Sequence, residues 1–320
     1  MIGGDVSGLA HALSIGGGYL VITAVACPAV ASVASMPEPR TILCFHAHPD
    51  DEASKGASTI ARYVEQGVRC ILVCCTGGEE GEIMNPAVDT PEVQANLGEV
   101  RAAELAASVE AIGFDEVVML GHRDSGMEGS EANQHPEAFG AQPLQDIVDE
   151  FVALIRQYRP EVVISYPDTR PDYPHPDHIR VYEASVAAFE QAGDPATAER
   201  LGEPFEPAKL YYSRFPVEFI AAMHARHLEL GVESPYEERW LERLDRIKPA
   251  STAIDVEGYM DVRDAALLAH ATQIDPTSKF WFALTEAERH AVHPVEYFDL
   301  ALSRVGRSEV VEHDLFERVP

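Results

Sequence analysis

Four short apolar runs, each followed by a segment of helical period, constrain this chain more than any other feature. Residues 41–47 (TILCFHA), 68–76 (VRCILVCCT), 116–120 and 161–166 (EVVISY) are rich in β-branched and apolar side chains. They do not alternate with polar residues, as expected of strands buried on both faces. Between them, residues 54–66 place Ala57, Ile60, Ala61 and Val64 at helical spacing and close on Gly67. A helix over 93–112 ends at Gly113, one over 143–158 opens with proline at its first position, and one over 179–191 follows the fourth run. Four alternations of strand and helix predict βαβ units with right-handed crossovers. The expected class is therefore α/β: a Rossmann-like parallel sheet with helices on both faces. Beyond about Pro207 the pattern loosens to a strand at Lys209–Ser213 and a mainly helical C-terminal extension. The expected division is 1–36 as an apolar N-terminal extension, 37–206 as the core, and 207–320 as a part that packs on the core and shapes a cleft.

Apolar residues make up 46% of the 320, enough to build a real core, and the net charge is −29 from 53 acidic and 24 basic residues. That balance gives no electrostatic footprint for nucleic acid or anionic lipid. The five cysteines, Cys27, Cys44, Cys70, Cys74 and Cys75, are odd in number and sit largely in apolar runs. They fit buried reduced thiols and a cytoplasmic location. Cys74 and Cys75 are strand neighbours pointing to opposite faces, a poor pair of metal ligands. Residues 9–35 resemble a signal h-region in composition. Yet no Lys or Arg precedes Arg40, Asp5 sits where positive charge belongs, and Gly16-Gly17-Gly18 and Pro28 interrupt the run. Met36 is the expected functional start, with no membrane partner unless residues 1–35 act as an anchor.

Two polar segments follow the first and fourth strands, at the sheet edge where open α/β folds bind ligands. His48-Pro49-Asp50-Asp51-Glu52 packs one imidazole and three carboxylates into five residues; Tyr173-Pro174-His175-Pro176-Asp177-His178 adds two imidazoles and another carboxylate. Taken alone, either segment reads as a turn and helix cap. Taken together, they suit a divalent ion that wants imidazole and carboxylate: two histidines and one aspartate as ligands, water at the open position, and a spare acid and base. No Gly-x-Gly-x-x-Gly follows the first strand, and no P-loop occurs, so a nucleotide cradle is missing.

The motifs Ala47-His48-Pro49-Asp50-Asp51-Glu52 and His175-Pro176-Asp177-His178 resemble the signatures of the PIG-L/LmbE-like zinc-dependent N-deacetylases and amidases. Thr76-Gly77-Gly78-Glu79-Glu80-Gly81-Glu82 and Arg123-Asp124-Ser125-Gly126-Met127 are also similar to family segments. Within the family, Ser54-Lys55-Gly56, Asn85-Pro86 and His270-Ala271-Thr272-Gln273 look most like the amidases of mycothiol S-conjugates. The resemblance implies one zinc (ferrous iron would suit the same donors) on His48, Asp51 and His178. It implies Asp50 as general base toward water, His175 as acid and oxyanion partner oriented by Asp177, and Tyr173 steadying the tetrahedral intermediate. Lys55, Glu82 and Asp124 are then candidate contacts to a small glycoside or thiol-conjugate substrate, where otherwise they are a local counter-charge, an acidic turn and a cap. The implied reaction is hydrolysis of an amide on an N-acylated glucosamine. A deacetylase of another glycoside, or a non-catalytic metal- or sugar-binding protein, are the alternatives. Three departures bear on substrate: Pro171-Asp172 where the family has Gly-Gly, His122 before Arg123-Asp124, and the stretch 131–142. His224, His227, His290 and His293 read as core or surface, and Phe280-Trp281 and Tyr211-Tyr212 as packing.

Overall fold

The first strand, β3 (Thr41–His46), is buried at every position and pairs in parallel with a strand on each side: β4 (Arg69–Thr76) and β6 (Val162–Ser165). Parallel pairing continues outward to β5 (Glu116–His122) beyond β4 and to β7 (Lys209–Ser213) beyond β6. β1 (Ala12–Gly16) and β2 (Tyr19–Thr23) form an antiparallel ribbon on the β5 side. β9 (Val295–Ser303) and β8 (Thr252–Asp255) do the same beyond β7. The nine strands run β1-β2-β5-β4-β3-β6-β7-β9-β8. The computed structural model describes residues 39–170, 173–214, 217–236 and 248–320, with the backbone of β1 and β2. The expectations for residues 1–36, Cys27 and Met36 included, otherwise lie outside the described residues, as do Pro171 and Asp172.

Successive residues of the central strands enter opposite cores, as the two-residue pleat requires. Ile42, Cys44, Cys70, Leu72 and Cys74 meet helices α2 (Ala57–Glu65) and α4 (Leu97–Ile112) on one face. Leu43, Phe45, Ile71, Val73 and Cys75 meet α5 (Leu144–Tyr158) and α6 (Pro176–Gln191) on the other, where Phe45 stacks on Phe151 with centroids 3.9 Å apart. Burying each such side chain contributes about 1.5–3 kcal/mol. That explains why strands whose interior positions are all apolar are stable only between two helix layers. The thiols of Cys44, Cys70, Cys74 and Cys75 are free and buried, and burial pushes each well above the usual thiol range.

The helix expected over 54–66 starts later, at Ala57, and the one expected over 93–112 is interrupted at Asn96. A single turn, α1 (Asp51–Ser54), precedes α2, because Gly56 takes a φ of 111° that ends helical hydrogen bonding. α3 (Pro91–Ala95) is separated from α4 at Asn96. The helix read over 143–158 begins one residue later, with Pro143 as its cap. After a short helix α7 (Ala198–Leu201), the C-terminal extension holds helices α8 (Val217–Leu230) and α9 (Met260–Ala269), and it also returns β8 and β9 to the same sheet. The β9 sequence, VEYFDLALS, mixes strand and helix formers; its pairing with β7 decides its state, not its propensity. No helix among the described residues is long and apolar enough to cross a membrane.

β4 and β6 flank β3 on opposite sides, so the strand order reverses at β3. At such a switch point open α/β sheets bind ligands beyond the carboxyl ends of the strands, here β3 and β6.

Candidate active site

The turn after β3 carries the first polar segment. Ala47 N–H donates to Tyr166 Oη at 2.8 Å, which fixes where the chain leaves the sheet. Asp50 then adopts φ 107° and ψ −21°, a left-handed conformation that costs a non-glycine residue about 1–3 kcal/mol. Three side chains oppose that cost. Glu52 Oε2 accepts the Asp50 N–H at 3.0 Å; Arg101 donates to Asp50 Oδ2 at 2.7 Å and also to Pro49 O; and Asp51 Oδ2 accepts the His48 N–H at 3.0 Å. The second segment opens α6. His175 caps the helix through Nδ1, which accepts the Asp177 N–H at 3.2 Å, and Pro176 occupies the first turn, where no backbone donor is needed. Asp177 and His178 therefore point from a rigid helix start.

These placements bring the two segments together. Ligand atoms of His48, Asp51 and His178 lie within 4.8 Å of one another, and all three residues are buried. A second set, His48, Asp124, His175 and Asp177, meets the same criterion and shares His48. The ring orientation separates the two. His48 Nε2 faces Asp177 Oδ2 at 3.2 Å and Asp124 Oδ1 at 3.7 Å, while Nδ1 lies 3.8 Å from Asp51 Oδ2. A neutral imidazole has one lone pair; with Nε2–H donated to Asp177, Nδ1 is left for an ion beside Asp51 and His178. Asp177 is itself fixed, accepting from Ser125 N–H at 3.0 Å and from Ser125 Oγ. Its carboxylate is thus committed to Ser125 and His48, and it meets His175 through its backbone.

The electrostatics suit a bound cation. Five carboxylates, from Asp50, Asp51, Glu52, Asp124 and Asp177, converge, and among the described residues Lys55 and Arg101 are the permanent positive charges paired with them. The Lys55 ammonium sits directly on Asp51 Oδ1, where a bound ion would lie close by. Burial would raise the Asp51 carboxyl, but Lys55, His178 and His48 hold it well below its usual range. Burial keeps His178 well below the usual imidazole value, neutral and with a free lone pair. For His48, burial is outweighed by Asp124 and Asp177, which push it up to about 10. A cation binding there would displace that proton, so uptake is coupled to proton release. Burial raises Asp50 above the ordinary carboxylate value, with Arg101 opposing it. Burial and neighbouring His48 lower His175 to about 4.

The remaining expected residues lie around this centre. Tyr173 is half exposed over it, its ring centroid 5.3 Å from that of His178 and 5.8 Å from that of His175. Asp124 is buried against His48 and takes backbone N–H bonds from Gly126 at 2.8 Å and Glu80 at 3.3 Å. Glu82 lies on the wall of a neighbouring acidic cleft of about 370 Å³, with Glu79, Glu80 and Asp89. Glu79 ties that wall to the centre by accepting the Asp124 N–H at 3.0 Å. Of the other histidines, His290 contacts Asp264 at 3.0 Å and His224 contacts Ser234 at 2.8 Å, both away from the centre.

Reasoning from motifs passed over several residues of the site. Arg101, Glu104 and Ser108 lie on the buried stripe of α4 with Leu97, Leu105 and Ile112. Three polar residues on the apolar face of an amphipathic helix were the available signal. Arg101 is 3% exposed, and a Cβ on Gly78 would collide with its guanidinium, so the Gly77-Gly78 turn is shaped around it. Tyr166, which donates to Asp51, was visible only as the last residue of a strand.

Comparison with known proteins agrees with the motifs. The PIG-L family model, described as GlcNAc-PI de-N-acetylase, matches residues 43–189. A mycothiol S-conjugate amidase from Streptomyces coelicolor is 39% identical over 284 residues, covering 86% of this chain and 96% of the relative. A 1D-myo-inositol 2-acetamido-2-deoxy-alpha-D-glucopyranoside deacetylase from Geodermatophilus obscurus is 37% identical, over 88% of this chain and 98% of that one. The N,N'-diacetylchitobiose deacetylase from Pyrococcus horikoshii superposes with a TM-score of 0.54 at 17% identity, covering 82% of this chain and 84% of that one; the fold is shared.

Proposed function

Because this chain belongs to the PIG-L family, we propose that it hydrolyses the amide of an N-acylated glucosamine in a mycothiol S-conjugate or a related small glycoside, using one zinc ion. One observation carries the reading. Three buried ligand atoms converge from His48, Asp51 and His178, and a fourth group, Asp50, is held beside them without belonging to the set. A protein that only bound an ion or a sugar would have no use for that spare carboxylate in a strained backbone. The two-histidine, one-carboxylate donors suit zinc and also ferrous iron, and metal analysis of protein isolated without added metal separates the two.

A divalent ion in such a site lowers the pKa of water at its open position and polarises the amide carbonyl. The side chains do the rest. Asp50 takes a proton from the attacking water, whose oxygen bonds to the carbonyl carbon. His175, its Nδ1 engaged by the Asp177 N–H, keeps its hydrogen on Nε2 and donates to the oxyanion, with the Tyr173 hydroxyl as a second donor. As the carbon–nitrogen bond breaks, the proton that Asp50 took from the water passes to the leaving nitrogen, while His175 keeps its Nε2 hydrogen directed at the oxyanion until the carbonyl re-forms, so both side chains return to their starting state. Lys55, Glu82 and Asp124 are the proposed substrate contacts.

The near-equal identity to a deacetylase supports removal of an acetyl group as the second reading. Rates on a mycothiol S-conjugate and on the 2-acetamido inositol glucopyranoside, measured side by side, distinguish them. The S-conjugate is expected to react faster. Absence of amide hydrolysis in a fully metal-loaded sample would overturn both.

A further inference from the structure

We propose that His270, from the C-terminal third of the chain, is a positioning residue for Asp50, acting through Glu52. The inference rests on the assignment of Asp50 as the base and names what holds that base in place.

The need for such a device is visible in the backbone. Asp50 is one of three non-glycine residues with positive φ among the described residues, and the conformation must be imposed by its surroundings. Its carboxylate is fixed by Arg101, but its peptide plane is fixed by Glu52, whose Oε2 accepts the Asp50 N–H at 3.0 Å. Glu52 can do this only if its own carboxylate cannot rotate. It is 1% exposed, and its second oxygen, Oε1, is held from two sides: Ser108 Oγ at 2.5 Å and His270 Nε2 at 2.5 Å. Ser108 comes from α4 of the core. His270 comes from the end of α9, 218 residues away in sequence from Glu52, and is 0% exposed. Among the described residues its Nδ1 has no hydrogen-bond partner, so the Glu52 contact is what the ring supplies.

The turn that carries His270 is anchored independently. Thr272 donates to Glu104 through both its N–H and Oγ1 at 2.7 Å, and Asn85 Nδ2 donates to Ala271 O at 2.9 Å. The backbone N–H of Met84 meets Thr272 O at 2.8 Å, on the loop that walls the acidic cleft. His270 therefore has little freedom to retreat if Glu52 shifts. The C-terminal third is thereby linked to Asp50 through one imidazole and one carboxylate.

The test uses the full chain loaded with zinc, with turnover expressed per folded, metal-bearing molecule. His270→Ala is expected to lower kcat by about 10–100-fold, because a displacement of an ångström in a catalytic group has effects of that order. KM and zinc affinity by chelator competition should stay within about twofold. His270→Gln, which can present Nε2 at nearly the same reach, should recover most of the lost kcat. A purely structural role would lower the melting temperature while leaving kcat per folded molecule intact, and that result would overturn the proposal. So would a His270→Gln protein as slow as His270→Ala, since the hydrogen bond would then not be the cause. Asp50→Asn is run alongside. If it retains full turnover, the assignment of the base has failed; if it is inactive while His270→Ala is fast, only the positioning role has.

Discussion

Charge is buried at both edges of this sheet, and the two edges treat it differently. At the amino edge the buried Lys209 Nζ meets Glu312 at 2.8 Å with the Tyr211 hydroxyl beside them, and the half-exposed Arg69 meets Glu116 at 3.0 Å. The backbone there is regular strand, and Lys209 and Glu312 are sealed from solvent. At the carboxyl edge, carboxylates outnumber permanent cations, one of them sits at positive φ, and a half-exposed tyrosine guards the mouth. Matched charge in regular backbone serves to close a structure. Unmatched charge in strained backbone costs stability, and it persists where it has something to bind or transform. Substitutions at the two edges should therefore separate cleanly into losses of turnover and losses of stability.

The largest effect on turnover is expected at Asp50. Asp50→Asn keeps size and the contact to Arg101 but cannot accept a proton, and should lower kcat by about 10²–10⁴-fold with metal content unchanged. Metal analysis and steady-state rates on one preparation check both halves. If the metal were lost together with the activity, Asp50 would belong to the ligands and the distinction between base and ligand would collapse.

Arg101→Met comes next. It frees the Asp50 carboxylate to wander, at a cost of up to about 10²-fold in kcat, and it shifts the pH profile. Burial holds the Asp50 carboxyl above its ordinary value and Arg101 pulls it back. Without the guanidinium that value rises further, so less of the base is ionised at a given mildly acidic pH. The acid limb of kcat/KM should move to higher pH in the variant. An unmoved limb would mean that the charge of Arg101 does not govern the group titrating there.

What the sequence made legible follows the same division. Runs such as TILCFHA and VRCILVCCT declare buried parallel strands because periodicity is local, and the ligand segments declare themselves because imidazole and carboxylate are dense there. Arg101 is a single residue in unremarkable surroundings, and His270 stands out only as part of a segment that resembles the family, with no role attached to it. Their meaning lies in partners 51 and 218 positions away, a separation that no local pattern reports. β9 was hidden for a related reason: its sequence is indifferent, and only β7 makes it a strand. The broken helix at Gly56 was closer to the surface, since Lys55-Gly56 interrupts an otherwise regular helical stripe. The motif resemblance supplied the proposed ligands and acid–base groups, but no role for the residues that hold them still.

The smallest effect on turnover is expected at Lys209, at the opposite edge. Lys209→Met removes one partner of a sealed ion pair and leaves Glu312 buried without its cation, although Tyr211 still donates to it at 2.9 Å. Breaking a buried pair in this way costs about 3–5 kcal/mol of stability. In a chain of this size each kcal/mol lowers the melting temperature by about 2–4 °C, so a fall on the order of 10 °C should appear in a thermal scan. The kcat of the molecules that remain folded should match that of the parent, because Lys209 lies at the start of β7 and the reacting groups at the far ends of β3 and β6. Replacing Lys209 and Glu312 together by apolar residues should restore much of the lost stability, since the penalty belongs to the orphaned charge. A Lys209→Met protein of parental stability but poor turnover would reverse the assignment of the two edges.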